Sequence, residues 1–146
     1  MEAEPTVPTP PVLSETLAAI GSERGEWFDR SFTLAARLLA EFGEDGLAER
    51  LASAIPAECP WEVAADLFGI LQWCTSDNGA AIGAAAEGWL RAGDDLRRIR
   101  VALHLDSYPF PSRSEMEQVL RRVAARHPEV AARCDELIEA RRRLPG

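Results

Sequence analysis

From Leu13 onward the apolar positions recur at helical spacing almost without interruption, and no convincing period-two run appears. A short first helix is expected over Ser14–Ile20. The second is clearer: Phe28, Phe32, Ala35, Leu39 and Phe42 step by four, three, four and three, Trp27, Leu34 and Leu38 widen the stripe, and Gly43 supplies the stop. A third helix is expected near Asp45–Ile55, with Leu47, Leu51 and Ile55 one turn apart and Pro56 ending it. Pro60 suits the first position of a fourth, where its missing N–H costs nothing. Between Trp61 and Trp73 this helix is apolar nearly all round, the pattern of a central helix enclosed by others. The segment Thr75–Gly79 breaks it and offers Asp77 or Asn78 as a cap.

The fifth helix, about Gly79–Arg91, is mostly alanine and glycine. Gly83 and Gly88 each lower helix propensity by about 1 kcal/mol relative to Ala, so its thin face is expected to let another helix approach closely or to leave room for a ligand. Asp94 is the expected cap of a sixth helix running to about Leu105, with Leu96, Ile99 and Leu103 inward and Arg97, Arg98 and Arg100 outward. Two prolines hold Tyr108 and Phe110 in an extended loop. Ser114 with Glu117 reads as a capping box for a seventh helix, and Pro128 opens an eighth that ends in Arg141-Arg142-Arg143, a solvated run favoured by the helix dipole. The predicted architecture is all-α: a compact single-domain bundle of seven or eight helices over residues 13–146, preceded by an extended Pro-rich tail at 1–12.

Charge adds a second pattern. All sixteen basic residues are arginine and 24 residues are alanine, a composition associated with GC-rich bacterial genomes. Residues 1–93 hold fifteen acids against five arginines, net −10, whereas residues 94–146 are net +2. A pI near 4.8 disfavours nucleic-acid binding, which needs clustered cations. No apolar run approaches the length of a membrane span, and the N-terminus carries acids and prolines in place of a signal sequence, so a cytoplasmic protein is expected. Cys59, Cys74 and Cys134 are odd in number and widely spaced, which points to free thiols rather than a disulfide framework or a zinc site.

Candidate chemistry is sparse. No phosphate loop, dinucleotide fingerprint, nucleophile elbow or HExxH motif occurs. His104 and Asp106 form a two-ligand H-x-D pair for which no third or fourth metal ligand is nominated, and His127 before Pro128 reads as structural. Neither a metal nor any other cofactor is expected. The acids are more distinctive. Glu41, Glu44, Asp45 and Glu49 cluster around one helix junction, and Glu58, Glu62 and Asp66 form a second group, with 62 and 66 stacked one turn apart against helix stability. The leading functional expectation is therefore a non-enzymatic bacterial interaction module, concretely an immunity or antitoxin-type inhibitor. It would present these acids, with Tyr108 and Phe110, to a basic protein partner. The alternative is a small-ligand or regulatory domain with a pocket between the fourth and fifth helices, lined by Trp73, Ile82, Gly83 and Trp89. A third reading is an enzyme centred on Cys74, Asp77, Asn78, His104 and Asp106.

Overall fold

The computed structural model describes residues 9–24, 28–105 and 108–144. About three-quarters of the described residues are helical, and no strand occurs among them. The helices are α1 (Pro11–Glu23), α2 (Asp29–Phe42), α3 (Leu47–Ala54), α4 (Trp61–Cys74), α5 (Ala80–Ala92), α6 (Leu96–Leu103), α7 (Arg113–Arg126) and α8 (Ala131–Arg142). A single 3-10 turn, Pro128–Val130, leads into the last. The all-α expectation holds. Residues 1–8 of the expected tail, Trp27 and Asp106 lie outside the described residues. The first helix begins at Pro11, three residues earlier than its spacing predicts, because Pro is tolerated in the first turn and Val12 and Leu13 both reach the core.

Helix α4 is the hub, packing against α1, α2, α5 and α6, while α3 leans on α5 and α7 pairs with α8. Leu67, Phe68 and Leu71 are fully buried, as the apolar pattern of this helix requires. The stripe of α2 is rotated from the predicted one. Leu34, Ala35 and Leu38 are buried with Ser31, whereas Phe32 stays 41% exposed and Phe28, Leu39 and Phe42 only flank the core. Ser31 tolerates burial because its N–H and hydroxyl both donate to Glu23, at 2.8 and 2.6 Å.

Two arginines close helix ends, one of which, Arg97, is expected from its spacing to point outward. Arg97 donates to the carbonyls of Ala52, Ile55 and Pro56, at 3.3, 2.9 and 2.7 Å, satisfying the last turn of α3. Arg133 does the same for α6 through Leu103 O at 3.0 Å. A guanidinium suits this task because it carries five donors in a rigid fork. The true caps of α6 and α7 are Asp95 and Ser112, each one or two residues earlier or later than Asp94 and Ser114, and each accepts an N–H from the first turn. Among the described residues no helix is long and apolar enough to cross a membrane.

Candidate functional site

The two ends of α4 differ in kind. At its N-terminal end, Trp61 is half-buried, its ring 4.6 Å from that of His104 and 5.6 Å from the Arg100 guanidinium. The Nδ1–H of His104 donates to Arg100 O at 2.9 Å. Asp66 pairs with Arg24 at 3.2 Å. Burial pushes the Asp66 carboxyl above its usual range, with Arg24 opposing and Glu62 adding to the rise.

At the C-terminal end, Trp73 is 75% exposed, by far the most exposed large apolar side chain described. The turn that follows is tightly built. Gly79 N–H donates to Thr75 Oγ1 at 2.8 Å and to Asp77 Oδ1 at 3.0 Å, and Ala81 N–H donates to Asp77 Oδ2 at 3.0 Å. The donated Ala81 N–H and its neighbours hold the Asp77 carboxyl below its usual range. Gly79 sits at φ +81, and a β-carbon there would come within 2.7 Å of the Gln72 side chain, so only glycine fits. Across from this turn, Glu44 Oε1 accepts from the N–H and hydroxyl of Ser76, both at 3.0 Å, tying the α2–α3 junction to the α4–α5 junction.

That tie gathers carboxylates. A groove of about 380 Å³ between α3 and α5 is lined by Glu44, Asp45, Glu49 and Asp77, with Ile82 beneath. Three of the seven expected acids therefore meet, joined by Asp77, which the spacing of the acids does not single out. Glu49 is engaged on both sides, accepting from Trp89 Nε1–H and lying 3.5 Å from Arg98. Glu41 stands apart, 3.8 Å from Arg37. Glu62 and Asp66 sit on the first half of α4, on the order of 15–20 Å from Ser76 at 1.5 Å per residue, so they belong to the opposite end. Glu58 precedes that same N-terminal end.

Other expected residues are corrected. Phe110 is buried, 3% exposed, and offers no surface to a partner, while Tyr108 remains at the surface. The expected pocket between α4 and α5 is not assembled. Trp73 points to solvent, Trp89 is buried edge-on against Phe68, and Ile82 and Gly83 line two different grooves on either side of α5. A β-carbon on Gly83 or Gly88 would meet nothing within 4 Å, so these glycines do not serve close helix packing. Arg141 is no free tail cation. It donates to the carbonyls of Pro109, Phe110 and Pro111, at 3.1, 2.8 and 2.6 Å.

Cys74 and His104 lie at opposite ends of α4, roughly 20 Å apart along its axis, so the thiol–imidazole pair does not form. All three cysteines are free, and burial raises each thiol above its ordinary value, Cys134 to about 11. Among the described residues no three His, Cys, Asp or Glu side chains are grouped to hold a metal ion. No protein-family model matches the chain, and no significant match is found to a curated protein or a solved structure.

Proposed function

We propose that the C-terminal end of α4 is a protein-docking surface, with Trp73 as its apolar anchor and the Glu44–Asp45–Asp77 groove as its anionic rim. The reading is that of a small bacterial interaction protein that blocks a basic partner, concretely an immunity or antitoxin-type inhibitor. The observation that carries it is the 75% exposure of Trp73 at the helix end whose following turn, Thr75 to Asp77, lines the carboxylate-bearing groove. Tryptophan is the residue type most enriched among interface hot spots, because a large ring fills a partner's pocket at low entropic cost. Carboxylates around such an anchor steer a basic partner and set its register more than they add affinity.

Asp45 and Glu44 are the residues to change: both are exposed, Asp45 uses only its backbone carbonyl in the local fold, and a glutamine at 44 keeps an oxygen to accept from Ser76. Mixing the protein with the products of genes encoded beside it is expected to yield a complex with a basic protein. In that complex Glu44→Gln with Asp45→Lys slows association by about tenfold at low salt and flattens its salt dependence. Wild-type association by the double variant, or a complex with none of those products, contradicts the inhibitor reading.

A further inference from the structure

Phe110 separates two opposite charges that line one cavity. Its N–H donates to Glu87 Oε1 and its carbonyl accepts from Arg141 Nη1, each at 2.8 Å. The carboxylate and the guanidinium are therefore held no more than about 9 Å apart by a single residue. They form no ion pair with each other or with any other charged group among the described residues. The arrangement is imposed on Phe110, whose φ of +67 lies in the left-handed region that a bulky residue adopts only under constraint. Arg141 supplies part of that constraint through the flanking carbonyls, and the Arg91 guanidinium, 4.8 Å from the ring, another.

The cavity measures about 420 Å³, within the range of small-ligand sites. Its floor is the thin face of α5 at Gly83 and Ala84, and Gln72, Asn78 and Tyr108 add polar groups to the walls. Arg141 meets the three carbonyls and Met116 sulfur through Nη1 and Nη2 alone. Its Nε–H edge has no partner among the described residues, and that edge is the one a carboxylate engages side-on. Glu87 Oε2 is likewise without a hydrogen-bond partner there.

We propose that this cavity binds a small zwitterion of the α-amino-acid class, its ammonium on Glu87 and its carboxylate on Arg141. The ammonium and carboxylate of an α-amino acid lie about 3–4 Å apart, so with a hydrogen bond of about 2.8 Å at each end the ligand reaches across about 9 Å, the upper limit that Phe110 sets on the separation of the two charges. The remaining volume takes the side chain, against alanines of α5 and Leu105. This site is separate from the Trp73 surface and does not depend on it.

The test is calorimetric titration of the purified protein with the twenty common L-amino acids. Each binder is compared with its decarboxylated amine and its deaminated acid, as leucine is with isoamylamine and 4-methylpentanoate. At least one amino acid is expected to bind one to one, with both half-ligands at least tenfold weaker. Glu87→Gln keeps an oxygen to accept the Phe110 N–H but removes the charge, so the expected result is a normal melting temperature and at least tenfold weaker binding. Should that variant fold poorly, Gly83→Leu decides, because its side chain grows into open space from the floor of the cavity and obstructs it. Abolished binding in Gly83→Leu supports the site. No amino acid binding at millimolar concentration, half-ligands as tight as the zwitterion, or undiminished binding by folded Glu87→Gln or by Gly83→Leu overturns it.

Discussion

Trp61 and Trp73 begin and all but end the same helix, about 18 Å apart, and meet opposite fates. Trp61 is covered by an imidazole and a guanidinium, and the acid one turn and a residue further along is paired with Arg24. Trp73 has neither an aromatic nor a cationic partner among the described residues, and the acids near its end face a groove. Burial of an indole stabilises a fold in proportion to the apolar area removed from water, so Trp61 contributes to folding and Trp73 forgoes most of that contribution. Where an end is closed by stacking and ion pairs, its side chains are accounted for by stability. At the other end the carboxylates hold the local turns, and it is the indole left in water that folding does not account for.

The largest effects are expected in the stretch both ends depend on. Leu67→Ala or Phe68→Ala, each fully buried at the middle of α4, should lower the unfolding free energy by about 2–5 kcal/mol. Urea denaturation measures this, and a loss below about 1 kcal/mol would misplace the hub. The comparison itself is sharpened by truncating the two tryptophans. Trp61→Ala should cost about 1–3 kcal/mol, since it removes a half-buried ring and its partners, whereas Trp73→Ala should change stability by no more than about 0.5 kcal/mol. Equal losses would erase the distinction between the ends.

Two aspartates give the subtler contrast. Asp66 is held above its ordinary value of 3.8, chiefly by burial, so its contribution to stability is present below the unfolded value and lost as pH rises through the folded one. Asp77 is held below 3.8, first by the Ala81 N–H, so its contribution is present above 3.8 and lost as pH falls through the folded value. Thermal melts at pH 7 should show Asp66→Asn as stable as the wild type or more so, and Asp77→Asn less stable. Both differences should shrink below about pH 4. The reverse order at pH 7 would show that the pairing with Arg24 outweighs burial, or that the turn does not need its carboxylate.

Much of the fold is legible in the sequence because apolar spacing determines which helix faces turn inward. Met116, Val119, Leu120 and Val123 on α7 and Leu47, Leu51 and Ile55 around α3 are buried as their periodicity dictates. What periodicity does not carry is where a polar side chain finds its partner. Arg97 and Arg141 look solvated along the chain, and only the folded molecule brings distant carbonyls under their guanidinium forks. Phe110, flanked by prolines, reads as an exposed loop residue, yet Glu87 and Arg141 grip its backbone and turn the ring inward. The acids illustrate the same limit. Spacing puts Glu62 and Asp66 on one helix face, but it does not reveal that Glu44 reaches Ser76 across 32 residues and that Glu44, Asp45 and Glu49 share a groove at the far end while Glu41 does not. Gly79, whose place against Gln72 admits no β-carbon, is read from sequence only as a turn.

The docking role of the open end is tested most directly by placing a photo-crosslinking phenylalanine analogue at position 73 in cells. A second strain carries it at Ala125, an exposed position on α7. If α4 ends in a docking surface, illumination yields one discrete cross-linked species from position 73, containing a basic protein, and none from position 125. The adduct also weakens when Asp45 is reversed to Lys and Glu44 is changed to Gln. No adduct at position 73, or the same products from both positions, would contradict it.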